Sequence, residues 1–252
     1  MSLAELKRRD FADAEILAAA FADWTTQLLQ AAVETRGVGL LIVSGGATPK
    51  RFFAELSRRD IDWSRVCVTL ADERCVADDS PRSNAKLLRD TLLTGRAAAA
   101  QFVPLADSRL TPEQELASAR ARIARLPLPA DLVVLGMGDD GHTASWFPGG
   151  DNLADALDPS SRNLVLTMRA PDAPEPRLTL TARVILRARA IALQIEGVAK
   201  SEVLSRALRD GPVDEMPIRA ALRGGADKLT IFSTPPQSLA NSAHAKAGAG
   251  AL

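Results

Sequence analysis

Apolar residues along this chain follow two rhythms. Between residues 12 and 35, Leu17, Phe21, Trp24 and Leu28 recur at three- and four-residue spacing, which predicts one amphipathic helix. Gly37 and Gly39 end it. Elsewhere the apolar residues come in short runs: VGLLIV at 38–43, VCVTL at 66–70 and DLVVL at 131–135. Runs of that length without polar alternation predict strands buried on both faces, as in a parallel sheet. Phe102-Val103, Asn163–Met168, Ala190–Ile195 and Lys228–Phe232 predict further strands.

Helices are predicted between them. KRFFAELSRR follows Pro49, Arg82–Leu93 has helical character, and a helix after Gly197 carries Lys200. Thr111-Pro-Glu-Gln114 has the form of a helix start: a hydroxyl N-cap, a proline in the first turn and a glutamine three residues on. Strands alternating with helices at this spacing favour a doubly wound α/β fold with a mostly parallel sheet and right-handed crossovers. The expected organisation is a single catalytic α/β domain over residues 1–234. Residues 235–252, rich in Ala, Gly and Ser, are low in complexity and are expected to form a poorly ordered tail.

Composition narrows the class. A chain of 252 residues with 46% hydrophobic content can bury a sizeable core. Lys+Arg and Asp+Glu are both 31, which argues against an electrostatic footprint for nucleic acid or membrane. The N-terminus is charged from residue 5 onward and lacks an apolar core, unlike a secretory signal. Cys67 and Cys75 give neither a disulfide framework nor a metal-ligand spacing. The expectation is a cytoplasmic protein, a monomer or weak homo-oligomer, that binds no metal.

Three predicted strands empty into polar loops, and ligands of doubly wound sheets bind beyond the carboxyl ends of strands. In the first loop, Ser44-Gly-Gly-Ala-Thr-Pro49, glycines free the backbone to converge several N–H groups, and Ser44 and Thr48 add hydroxyls. That suits an anion such as phosphate; the alternative is a tight βα turn with an N-capping threonine. The GK[ST] ending of a P-loop is missing. The second loop, Asp72-Glu-Arg74, is a solvated strand end or a binding edge.

The third loop, Gly136-Met-Gly-Asp-Asp-Gly-His142-Thr, carries the most chemistry. His142 is one of only two histidines, and the other, His244, lies in the tail. The loop matches G-x-G-x-x-G, which raises nicotinamide binding. That fingerprint needs a long helix opening at its third glycine, whereas HTASWF runs into Pro148-Gly-Gly. A strained loop presenting Asp140 and His142 explains the glycines better. His142 is a candidate acid–base group; the bland alternative is a structural histidine bonded to a carbonyl. Asp140 either orients the ring or caps the turn, and Asp139 reads as a solvated loop charge.

Taken together, SGGATP (44–49), ADERCV (71–76), the SN pair (83–84), DLVVLGMGDDGHTASWFPG (131–149), RLTLT (177–181) and GVAK (197–200) resemble the 6-phosphogluconolactonase family, within the larger group that includes glucosamine-6-phosphate deaminase. The resemblance implies a modified Rossmann-like sandwich. It also implies hydrolysis of 6-phosphoglucono-1,5-lactone to 6-phosphogluconate, a step of the pentose phosphate pathway, with no required cofactor. Carried over by position, His142 is the general base for water, and Ser44, Gly45, Gly46 and Thr48 hold the phosphate. Arg177 and Lys200 are its cationic partners, and Asp72 and Arg74 line the sugar end, with Arg74 the candidate for the oxyanion. Two positions depart from the family pattern: Ala47 replaces a usual serine, and Cys75 stands where an aromatic is common. The alternatives are a deaminase or isomerase acting on an amino-sugar phosphate, and a non-catalytic sugar-phosphate sensor. TASWFPG after the histidine favours the lactonase branch.

Overall fold

The structure, a computed structural model, describes residues 6–171 and 173–234. The predicted tail and His244 lie outside the described residues. The strands are β1 (Lys7–Asp10), β2 (Gly39–Val43), β3 (Val66–Leu70), β4 (Asp72–Arg74), β5 (Gln101–Phe102), β6 (Leu132–Leu135), β7 (Val165–Met168), β8 (Arg177–Leu180), β9 (Ile191–Ile195) and β10 (Leu229–Ser233). The helices are α1 (Ala14–Arg36), α2 (Lys50–Leu56), α3 (Asn84–Thr91), α4 (Pro112–Ala124), α5 (Leu153–Leu157), α6 (Ala182–Ile185), α7 (Val198–Ala207) and α8 (Ile218–Gly224).

Seven strands form an all-parallel sheet in the order β1-β10-β9-β6-β2-β3-β5, with helices on both sides, as the doubly wound reading requires. The unbroken apolar runs explain its middle: every residue of β2, β3, β6, β9 and β10 is buried. From β2 the chain winds outward through β3 and β5; from β6 it winds the other way, through β9 and β10. The direction reverses between β2 and β6. Loops leaving the carboxyl ends there diverge and open a crevice.

Helix α1 starts where Asp13 accepts the Ile16 N–H and stops at Gly37, whose φ of +75° supplies the left-handed turn. Leu17 and Phe21 lie in the core, as predicted; Trp24 and Leu28 are half-buried at its margin, and Leu29 takes the core position instead. Phe21 stacks on Phe52 and Phe232 with ring centroids 4.0 and 4.3 Å away, joining α1, α2 and β10. The capping box predicted at Thr111 and Gln114 is present at the start of α4.

The second sheet, β4-β8-β7, is antiparallel, and here Asp72–Arg74 departs from the predicted loop. Ala71 is the joint. Its N–H donates to Val43 O of β2, and its carbonyl accepts from Leu180 N of β8. The chain therefore passes from the large sheet into the small one without a loop. Asp72 pairs with Thr179 and Arg74 with Arg177. β1 is a further departure: KRRD is exposed at every position and pairs only with β10.

Candidate active site

A cavity of ≈ 520 Å³ opens at the reversal point, lined by the glycine loop Ser44–Pro49, by β6 and its loop through Thr143, and by Asp72, Arg74, Asn84, Arg177, Gln194 and Lys200. Nearly all the residues singled out in the sequence meet there. Asp140 does not line the cavity but lies behind His142.

The glycine loop is anchored where Ser44 N–H donates to Val134 O at 2.9 Å, and Gly46 turns it with a φ of +102°. Gly45 has a specific reason to lack a side chain: a Cβ there would stand 2.0 Å from Asn84 Oδ1. Asn84 in turn donates through Nδ2 to Asp72 O at 2.9 Å. Beneath it the buried Glu73 carboxylate accepts from the backbone N–H of Arg74, Asn84 and Ala85 at 2.6–2.8 Å. Burial pushes the Glu73 carboxyl up, against backbone hydrogen bonds that favour the anion. One carboxylate thus fastens β4 to α3, whose Asn84 packs against the glycine loop. Thr48 does not cap α2: Pro49 is the N-cap and no side chain bonds there.

On the β6 loop, Asp140 Oδ1 lies 2.6 Å from His142 Nδ1 and also accepts the His142 backbone N–H at 3.0 Å. Asp140 therefore both orients the ring and closes the turn. Burial works against its charge, yet the His142 ring and N–H bring its carboxyl below the usual range. An ionised Asp140 at Nδ1 selects the tautomer with the proton on Nδ1 and leaves Nε2 as the acceptor. Phe147 packs beside the ring at 4.5 Å between centroids. No helix opens at Gly141; the next one, α5, begins at Leu153, so the dinucleotide fingerprint fails on geometry. Asp139 is more than a solvated charge: Lys200 Nζ lies 2.6 Å from its carboxylate and holds its pKa down.

At the small-sheet side, Asp72 Oδ2 accepts from Ser145 Oγ at 2.5 Å and lies 3.9 Å from Arg177 Nη1. Arg177 is buried, spreads over the Phe147 ring at 5.5 Å and reaches Glu175 at 3.8 Å. Burial, with Arg74 and Arg82 nearby, lowers its pKa against the pull of Asp72 and Glu175. Arg74 donates through Nη1 to Arg82 O. Among the described residues, Ser44 Oγ, Arg74 Nε, Arg177 Nε and Gln194 Oε1 are buried polar atoms with no partner, and all four residues line this cavity. An unsatisfied buried polar group costs about 1–3 kcal/mol. Their concentration around one space marks it as built for a polar, hydrogen-bonding ligand.

A family model described as glucosamine-6-phosphate isomerases/6-phosphogluconolactonase matches residues 12–231. The chain belongs to this family. A 6-phosphogluconolactonase of Rhizobium meliloti (strain 1021) is 51% identical over 225 residues, 89% of this chain and 97% of that one. One from Mesorhizobium japonicum is 47% identical over 225 residues, 89% of this chain and 94% of that one. The crystal structure of a 6-phosphogluconolactonase from Shewanella baltica superposes with a TM-score of 0.88 at 38% identity, covering 93% of this chain and all of that one.

For this member of the glucosamine-6-phosphate isomerase/6-phosphogluconolactonase family, several cavity residues escaped the sequence reading. Gln194 lies inside an apolar strand, where one polar residue in IALQI is the only signal. Arg82 was read only as the start of a helix, yet it lines the cavity and pairs with Glu175. Cys75 stays incidental: burial, then Glu115, pushes its thiol up to about 12.

Proposed function

We propose that the chain hydrolyses 6-phospho-D-glucono-1,5-lactone to 6-phospho-D-gluconate. The observation that carries this reading is His142, held 2.6 Å from Asp140 and lining with the glycine loop a single cavity rimmed by Arg74, Arg177 and Lys200. A lactone is an ester, so its hydrolysis needs an activated water and help for a developing oxyanion. His142 Nε2 takes a proton from water as the water oxygen bonds to the carbonyl carbon. The carbonyl oxygen gathers negative charge, and Arg74, whose Nε has no partner among the described residues, is the group assigned to it. The bond from that carbon to the ring oxygen then breaks, and the imidazolium returns its proton to the departing oxygen. Asp140 stabilises the transient imidazolium.

The phosphate is the handle. Ser44, Gly45, Gly46 and Thr48 receive it, and Lys200 and Arg177 balance its roughly −1.5 to −2 charge. Asp72 accepts from hydroxyls of the sugar. Holding the remote phosphate fixes the carbonyl against the base and turns binding energy into orientation. His142→Ala tests the reading in a lactone assay corrected for spontaneous hydrolysis. A fall in kcat of about 10²–10⁴-fold with an unchanged fold is expected, the usual share of a general base. Near-normal kcat in that variant sinks the mechanism, and ammonia release from glucosamine 6-phosphate by the wild type moves the chain to the deaminase branch.

A further inference from the structure

The two oxygens of Asp72 are used differently. Oδ2 takes the Ser145 hydroxyl at 2.5 Å, while Oδ1 accepts no hydrogen bond from the described residues, and Asp72 lines the cavity. Ser145 is fully buried and cannot turn to solvent. Its backbone N–H donates to Thr179 Oγ1 at 3.3 Å, and the indole of the next residue, Trp146, donates to Leu180 O at 2.8 Å. Both anchors lie on β8, the strand that pairs with β4 and carries Asp72's neighbour Thr179. Ser145 also follows His142 by three residues on the same loop. Its hydroxyl therefore ties the loop of the proposed base to the carboxylate on the other sheet.

We infer that Ser145 is a positioning residue for the reaction proposed above: its hydroxyl pins Asp72 Oδ2 so that Oδ1 faces the hydroxyls of the sugar lactone. This rests on the lactonase reading. A short O–H to carboxylate bond is charge-assisted and directional. Without it, the polar neighbour left to Oδ2 is Arg177 Nη1 at 3.9 Å, beyond hydrogen-bond reach. The carboxylate is then free to turn, and Oδ1 leaves the sugar.

The test compares four forms of the full chain: wild type, Ser145→Ala, Asp72→Ala and the double variant. Ser145→Ala is expected to lower kcat/KM for the phosphorylated lactone about 10- to 100-fold, the size set by losing a hydrogen bond to a charged group. In the Asp72→Ala background the same change is expected to cost less than about threefold, because the group it acts through is gone. Binding of inorganic phosphate, measured by calorimetry, stays within about twofold, since Ser145 serves the sugar end. An equal loss in both backgrounds, or a parallel loss of phosphate affinity, assigns Ser145 a structural role and overturns the inference. If Ser145→Ala does not fold, Ser145→Cys keeps similar volume with a weak donor, and the same comparison decides. A wild type without turnover above the spontaneous rate fails the lactonase reading itself, and an active wild type with additive losses fails only this inference.

Discussion

Gly138→Ala puts one methyl group into the space that the proposed base occupies. A Cβ on Gly138 would stand 2.1 Å from His142 Nδ1, 2.2 Å from His142 Cε1 and 2.7 Å from Asp140 Oδ1. Non-bonded carbon and nitrogen atoms prefer about 3.5–4.0 Å, so the overlap exceeds an ångström and something must yield. The backbone is held: Gly138 N–H donates to His142 O, Gly141 N–H to Gly138 O, Ile218 N–H to Gly141 O and Thr143 Oγ1 to Gly136 O. The imidazole, 31% exposed and lining the cavity, is the part free to move. It turns off Asp140, and the 2.6 Å contact is lost. The base remains in the chain but loses its orientation and its tautomer control. A fall in kcat of about 10²-fold or more is expected, approaching that of His142→Ala. Overpacking costs about 1–3 kcal/mol, which for a chain of this size lowers Tm by roughly 2–12 °C. Initial rates corrected for spontaneous hydrolysis, beside thermal melts by circular dichroism, measure both. A folded Gly138→Ala protein with near-wild-type kcat refutes the argument that the Asp140–His142 contact drives the reaction.

Lys200→Ala should raise KM for the phosphorylated lactone about 10-fold or more while changing KM for unphosphorylated gluconolactone little, as expected for loss of a hydrogen bond between charged groups; equal effects on both substrates remove Lys200 from the phosphate. Cys75 should resist alkylation at pH 8. Its thiol is pushed up to about 12, so the thiolate that reacts is scarce below that pH, whereas an ordinary thiol titrates near about 8.5. Iodoacetamide labelling followed by mass spectrometry should show slow modification of the folded protein and fast modification in denaturant. Fast labelling of the folded state contradicts the burial argument.

The large sheet was legible because burial on both faces writes itself as unbroken apolar runs, and β2, β3, β6, β9 and β10 all follow that rule. β1 was not, because an edge strand exposed on both faces has no apolar rhythm, and KRRD reads as surface charge. β4 was missed for a different reason. Three residues, Asp72–Arg74, carry no pattern, and their pairing partners, Arg177 to Thr179, lie about a hundred residues away in sequence. The same distance hid part of the site. His142 and Asp140 stand two residues apart and could be read together; Ser145 with Asp72, and Gly45 with Asn84, meet only once the two sheets are joined at Ala71. Local chemistry was readable, whereas contacts between sheets needed the fold.

The register of the small sheet sets Arg74 directly opposite Arg177. Two like charges facing each other across an antiparallel pair push their strands apart, by up to about 1 kcal/mol at ordinary sites. Burial at Arg177 strengthens that push, and Arg74 is among the charges that lower its pKa. Asp72 and Glu175 relieve it only from 3.9 and 3.8 Å. The push is therefore offset by carboxylates on or beside the same strands, though not at hydrogen-bond distance. An anion drawn to these arginines would add to the counter-charge that Asp72 and Glu175 already supply, so anion binding and the stability of this strand pair are expected to rise together.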